Sequence, residues 1–276
     1  MNPLRPAAAP NTVQAVIFDW SGTIIDHGCC APAVAFVELF GQRGIELSVA
    51  EARGAMGSYK KDHIRTLTAL PRVRDQWRRA FDREPGEPDV DLMYDEFIPL
   101  QMACLERYSR LIAGVAELGA ALRGRGIRLG STTGYFREAA QASWDAAAAQ
   151  GFTPDALVCA TDVPAARPEP WMIYRNLEQL RVFPASTVVK VGDTAIDIEE
   201  ALNAGAWAVG VSRTGNGVGL TEAELATLDP AARKERIAGA ESILRTAGAH
   251  YVIESVADLL PVIDAIGARL AAWERP

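Results

Sequence analysis

Residues 13–22 read VQAVIFDWSG. A short apolar run, rich in β-branched side chains, stops abruptly at an acid, Asp19. A run this brief and this continuously apolar reads as a strand buried on both faces, the kind that lies inside a parallel sheet. Similar runs return only after Gly114, at 127–131 (IRLGS), 156–160 (ALVCA), 187–191 (TVVKV), 207–211 (WAVGV) and 250–253 (HYVI). The segments 115–123, 136–149, 171–180, 196–204 and 255–267 carry helical spacing. Strands alternating with helices predict an open parallel sheet covered on both faces, a Rossmann-like α/β fold to which the first strand also belongs.

The stretch between the first strand and the rest has another character. Residues 31–43 (APAVAFVELFGQR) read as a helix, and 48–61 open with Ser48 and Glu51 in capping-box spacing. The helical pattern runs on to about Arg110, broken at Pro71 and at 85–88 (PGEP), with no strand visible after Asp26. The expected organisation is a core from 12–27 and 109–276 with an inserted all-helical cap, 28–108. Connections near 26–30 and 106–113 are expected to hinge the two parts. Basic residues cluster in the cap, among them Lys60, Lys61, Arg65, Arg72, Arg74, Arg78 and Arg79. Residues 1–11, rich in Ala and Pro and lacking an apolar segment, are expected to form a disordered leader rather than a signal peptide.

The net charge of −7 argues against a general nucleic-acid binder but leaves room for a local anion pocket. No stretch is apolar for long enough to span a membrane. Cys29, Cys30, Cys104 and Cys159 have no metal-type spacing and read as the reduced thiols of a cytoplasmic protein.

Ligands of open parallel sheets bind at the carboxyl ends of the strands. Asp19 follows the first strand, Thr132 and Thr133 the second, and Asp193 the fourth, while Arg167 lies in the loop after the third. Two carboxylates, hydroxyls and a guanidinium thus converge on one rim. Each alone is ordinary; together they suit phosphoryl transfer. A carboxylate attacks phosphorus, a hard cation held by Asp19 and Asp193 (Mg2+ by its oxygen preference) neutralises charge, and Arg167 with the threonines holds the phosphoryl oxygens. Asp197 either supports the metal site from behind or caps its helix. TGNGVG (214–219) looks like a phosphate loop but lacks a strand–loop–helix setting, so a flexible turn is expected.

DWSGT, STTG, ARPEP and VGDTAIDIEEALNAG resemble the four ordered motifs of the haloacid dehalogenase superfamily. Two departures stand out. The superfamily's phosphatases carry a second Asp two residues after the nucleophile, where this chain has Ser21; Arg167 stands where a Lys is usual. With MGSYKKDHIR in the cap, the chain resembles the phosphonatase (phosphonoacetaldehyde hydrolase) family over nearly its whole length from Val13. The resemblance implies a phosphonate substrate whose carbon–phosphorus bond is broken in phosphonate (2-aminoethylphosphonate) degradation. It implies a Schiff base on Lys60, a phosphoryl group taken by Asp19, the backbone carbonyl of Ser21 on Mg2+, Met56, His63 and Tyr135 lining the site, and a homodimer formed through the cap. By spacing alone Met56 reads as core and His63 as a surface group, though on one continuous helix Met56, Lys60 and His63 would share a face. Lys60 must be neutral to attack an aldehyde, and desolvation or the neighbouring basic residues are expected to lower its pKa. The rivals are a phosphate-ester phosphatase or phosphomutase, which Ser21 disfavours, a non-catalytic binding protein on this fold, and a metal-free dehalogenase, which Asp193 and Lys60 disfavour.

Overall fold

A computed structural model describes residues 12–276; the leader expected at 1–11 lies outside them. Every residue of β1 (Ala15–Phe18) is buried. It pairs in parallel with β2 (Arg128–Thr133) on one side and β4 (Val188–Gly192) on the other. β3 (Ala156–Cys159) extends the sheet beyond β2, and β5 (Trp207–Val211) and β6 (Tyr251–Ile253) extend it beyond β4. The six strands are all parallel, in the order β3-β2-β1-β4-β5-β6.

Between β1 and β2 the chain forms only helices, the last of them α6 (Val115–Gly124), preceded by α1 (Cys30–Gly41), α2 (Val49–Ala52), α3 (Lys60–Thr68), α4 (Pro71–Phe81) and α5 (Glu87–Tyr108). The rest follows as α7 (Arg137–Ala149), α8 (Trp171–Leu180), α9 (Ala195–Ala204), α10 (Glu222–Thr227), α11 (Pro230–Thr246) and α12 (Leu259–Ala271). Alternation along β1 sends Val16 and Phe18 to one face, packed with Leu118 and Leu122 of α6 and Ile263 and Ile266 of α12. Ala15 and Ile17 go to the other, against Ile173 and Leu180 of α8. A third core holds Phe36, Ile64, Trp77 and Phe97 of the helical segment and runs without a break into Tyr135, Phe136 and Ala139 at the start of α7. The helical segment is therefore seated on the sheet's rim, tied by apolar packing as well as by the chain.

Its two connections are themselves paired. Ile25 and Leu111 form an antiparallel bridge, and the Ile112 amide donates to the Ile24 carbonyl at 2.9 Å. Asp26, at φ 57, accepts from the amides of Cys30 (2.9 Å) and Ala31 (3.0 Å), satisfying two of the free donors that begin α1.

Two expectations need correction. The helix read over 48–61 is interrupted: the Ser48–Glu51 capping box is present, but α2 ends at Ala52 and a turned stretch leads to α3. Gly57, at φ 95, breaks the continuity, so Met56 precedes the helix that carries Lys60 and His63. β2 runs two residues further than the reading, so Thr132 and Thr133 end the strand rather than follow it. In addition, α10 and α11 occupy a region to which no element was assigned from the sequence. Only Ala240 and Leu244 of α11 are buried, and a helix with so little apolar stripe gives no periodic signal.

Candidate active site

The ends of β1, β2 and β4 and the loop after β3 bring Asp19, Thr133, Asp193 and Arg167 to one small cavity, about 20 Å³. Its opposite wall comes from the helical segment: Cys29, Met56 and Lys60. Ser21 and Tyr135 also border it. Thr132, expected on the phosphate, does not line the cavity; its hydroxyl oxygen is 2.6 Å from Arg167 Nη2 and 2.9 Å from Lys190 Nζ, both donating to it. Strand alternation explains the split: neighbours on β2 face opposite ways, so of the two only Thr133 reaches the cavity.

Arg167 is fully engaged. Nη2 lies 2.7 Å from Asp19 Oδ1, Nη1 2.9 Å from Asp197 Oδ1, and Nε 3.0 Å from Glu200 Oε2. These carboxylates, Asp19 above all, hold its charge firmly in place against the cost of burial. Burial raises the pKa of Asp19, with Arg167 pulling the other way. Burial also pushes Asp193 well above the usual carboxylate range, reinforced by the charges of Asp19 and Asp197. Asp197 is buried too, but Arg167 and then Lys190 outweigh that, and it falls below its ordinary value. Thr194 Oγ donates to Asp197 at 2.6 Å, so Asp197 caps α9 as one of its two readings had it, while its other carboxylate oxygen lies 2.9 Å from Arg167 Nη1.

The fit for a cation can be judged from the oxygens. One carboxylate oxygen each from Asp19, Asp193 and Asp197 lie within 4.8 Å of one another, all buried. Asp193 Oδ1 has no hydrogen-bond partner, a state that is costly for a buried anion unless something positive meets it. All-oxygen donors of this charge fit a hard divalent metal ion.

Lys60 stands at the first residue of α3 and is 2% exposed. Its Nζ lies 5.3 Å from the centre of the Tyr135 ring and 5.9 Å from that of Phe36. Burial lowers its pKa from 10.5 to about 8. Of the two causes expected, desolvation is the one at work, and the basic residues of the helical segment are not. Arg65, Arg72 and Arg74 are surface groups paired with Glu87, Glu51 and Glu84. Lys61 points away to an ion pair with Asp91, which raises its pKa.

His63 is not a surface group. It is fully buried against Phe36, ring centres 4.1 Å apart, and neither nitrogen has an aligned hydrogen-bond partner. Burial, then the charge of Lys60, holds its pKa well below the ordinary value, so it is neutral. The Tyr135 hydroxyl is likewise buried and unpartnered. Ser21 Oγ donates to Asp26 at 2.6 Å.

Several site residues escaped the sequence reading. Cys29 lines the cavity with a thiol kept protonated by burial; its place behind DWSGTIID was the available signal. TGNGVG is no free turn. The Asn216 amide donates to Asp193 Oδ2 at 2.6 Å, and the Asn216 side chain accepts from Arg53 at 3.0 Å. Arg53, just after α2, also donates to the carbonyls of Gly28 (2.7 Å) and Gly219 (3.1 Å), clamping the helical segment to this loop. Glycines make the seam beside it. A Cβ on Gly134 would lie 2.3 Å from the Ser58 carbonyl oxygen, and one on Gly57 2.6 Å from Thr194 Oγ.

The model of the haloacid dehalogenase-like hydrolases matches residues 13–205. The phosphonoacetaldehyde hydrolase of Paraburkholderia phytofirmans is 50% identical over 264 residues, 96% of this chain and 99% of that protein. That of Bacillus cytotoxicus is 47% identical over 254 residues, 92% of this chain and 96% of the other. Among solved structures, a phosphonoacetaldehyde hydrolase-like protein from Oleispira antarctica superposes with a TM-score of 0.95 at 42% identity, covering 97% of each chain.

Proposed function

The chain belongs to the haloacid dehalogenase-like hydrolases and, within them, to the phosphonoacetaldehyde hydrolases, and from that premise we propose how its residues convert phosphonoacetaldehyde to acetaldehyde and phosphate. A carbanion is too poor a leaving group to depart from phosphorus unaided. Neutral Lys60 adds to the aldehyde and, with loss of water, forms an iminium ion. Asp19 then attacks phosphorus. The carbon–phosphorus bond breaks, its electrons pass into the iminium, and an enamine leaves Asp19 as an acyl phosphate. The enamine carbon gains a proton and the imine is hydrolysed, freeing acetaldehyde and Lys60. Water releases phosphate and restores Asp19.

The single observation that carries this reading is a buried lysine, with pKa about 8, in the same cavity as a buried nucleophilic carboxylate. At pH 7 that shift raises the neutral fraction of Lys60 roughly 300-fold over an ordinary lysine. Ser21, hydrogen-bonded to Asp26, offers no acid for an oxygen leaving group, and an enamine needs none. Thr133 and Arg167 hold the phosphoryl oxygens. His63, neutral and close to Lys60, takes up and returns protons as the imine forms and breaks, and the Tyr135 hydroxyl meets a polar atom of the substrate. Met56 closes the wall beside Lys60.

Asp19, Asp193 and the Ser21 carbonyl would hold Mg2+, with Asp197 behind them; bound there, the ion offsets the charge of the phosphoryl group and of the two acids. Chelation that left turnover intact would remove this assignment. The chain acts as a homodimer through the helical cap, for which exposed Val34 (39%) and Leu92 (55%) on α1 and α5 provide apolar surface; light scattering tests it. Four free thiols suit a cytoplasmic setting.

The deciding experiment is borohydride reduction in the presence of phosphonoacetaldehyde, followed by peptide mapping. An adduct on Lys60 is expected. An adduct on Lys61, or none, overturns the imine course.

A further inference from the structure

Lys190 is a lysine in the middle of a central strand, fully buried. On β4 its neighbours Val189 and Val191 face the core beneath α6 and α12, so Lys190 faces the other way, towards α9. Its Nζ lies 2.9 Å from Asp197 Oδ1, 2.9 Å from Thr132 Oγ and 3.5 Å from Glu200 Oε2. Glu200, on α9, is fully buried too. Neither residue lines the cavity, and neither has a part in the reaction described above. Two buried charges outside a reaction site require a reason, because each is costly to desolvate.

The reason lies in what Arg167 touches. One guanidinium meets Asp19, Asp197 and Glu200, one acid on each of its three nitrogens. Three carboxylates on one guanidinium leave Arg167 little net charge of its own for a phosphoryl group arriving at Asp19. Lys190 meets Asp197 and Glu200 as well and supplies the second positive charge. It also fixes the Thr132 hydroxyl, which in turn receives Arg167 Nη2. Glu200, bonded to Nε, sets the plane of the guanidinium.

We propose that Lys190 and Glu200 are a positioning pair for Arg167: Glu200 aims the guanidinium, and Lys190 neutralises the acids behind it so that the charge of Arg167 remains available to a phosphoryl dianion at Asp19. The inference rests on Arg167 binding the phosphoryl group, not on the imine, and its probe is therefore inorganic phosphate, whose binding does not require Lys60.

The test uses the full chain with Mg2+ and the variants Lys190→Met, Glu200→Gln and the double variant, with phosphate affinity measured by calorimetry and folding by thermal melting. Lys190→Met should weaken phosphate binding by about tenfold or more, as two uncompensated acids then draw on Arg167. Adding Glu200→Gln should recover binding to within about threefold of wild type, since the charge balance returns. Glu200→Gln alone should keep phosphate affinity but lower kcat about tenfold, because a neutral amide oxygen holds Arg167 Nε less firmly than a carboxylate. Phosphate affinity unchanged in Lys190→Met, or single-variant losses that simply add in the double variant as lost packing would, overturns the proposal. If Lys190→Met does not fold, the double variant and Glu200→Gln decide it: weakened phosphate binding in Glu200→Gln refutes it.

Discussion

Substituting Gly134→Ala tests whether the closed seam is needed for turnover. The new Cβ would stand 2.3 Å from the Ser58 carbonyl oxygen and 2.7 Å from that of Gly57. Both are backbone atoms, so no rotamer change relieves the clash. An ordinary contact begins near 3.4 Å, so the helical segment must retreat by about 1 Å. Ser58 is two residues from Lys60, and the retreat carries the amine away from the carbon attached to phosphorus. A displacement of about 1 Å costs roughly 10²-fold in rate, or about 2.7 kcal/mol of barrier. The assay is kcat/KM on phosphonoacetaldehyde with thermal melting in parallel. A melting point somewhat below wild type with kcat/KM down by about two decades is expected, because the core of the helical segment continues into Tyr135 and Phe136 and takes up part of the retreat. Gly41→Ala is the control: it alters the same segment where a Cβ meets nothing within 4 Å, and it should be silent. Wild-type kcat/KM in Gly134→Ala would refute the reasoning.

Imine trapping should have a rising limb in pH that levels off near 8, where Lys60 loses its proton; a limb that continues past 10 would mean the amine is not desolvated. Arg53→Ala should raise KM about tenfold and expose the amides of 213–219 to exchange, as charge-assisted hydrogen bonds across the seam are lost; unchanged exchange would show that the clamp is idle. Burial raises Asp26 from 3.8 to about 6. The folded state then holds the extra proton between those values, so stability is greatest below the unfolded pKa and falls as pH rises through the folded one, by roughly 3 kcal/mol. Asp26→Asn should flatten that fall in chemical denaturation; an identical pH profile would show that the burial is not felt.

The sheet was legible because buried parallel strands are short and continuously apolar, and because each motif ends one. Thr132 and Thr133 could not be told apart in sequence, since which of two neighbours faces the substrate depends on where the strand stops. Met56 was placed on the helix of Lys60 because Gly57 is one weak break in an otherwise helical pattern. Lys190 and Glu200 were invisible for a different reason. A lysine flanked by valines and an acid beside Glu199 look like solvated positions, and only the crossing of β4 with α9 shows that both are buried. Asn216 and Arg53 meet across 163 residues, a separation no local pattern reports.

The closed cavity, about 20 Å³, is smaller than the molecule it must transform. It has room for about one water. On the reaction proposed above, the walls must part to admit substrate, and they return around it only as far as its size permits. A phosphonate with a longer carbon chain would meet no side chain dedicated to rejecting it. It would instead keep the lid ajar, with the amine short of its target. Selectivity of this kind is a gauge read by fit between two rigid jaws, and it excludes by failing to react rather than by failing to bind.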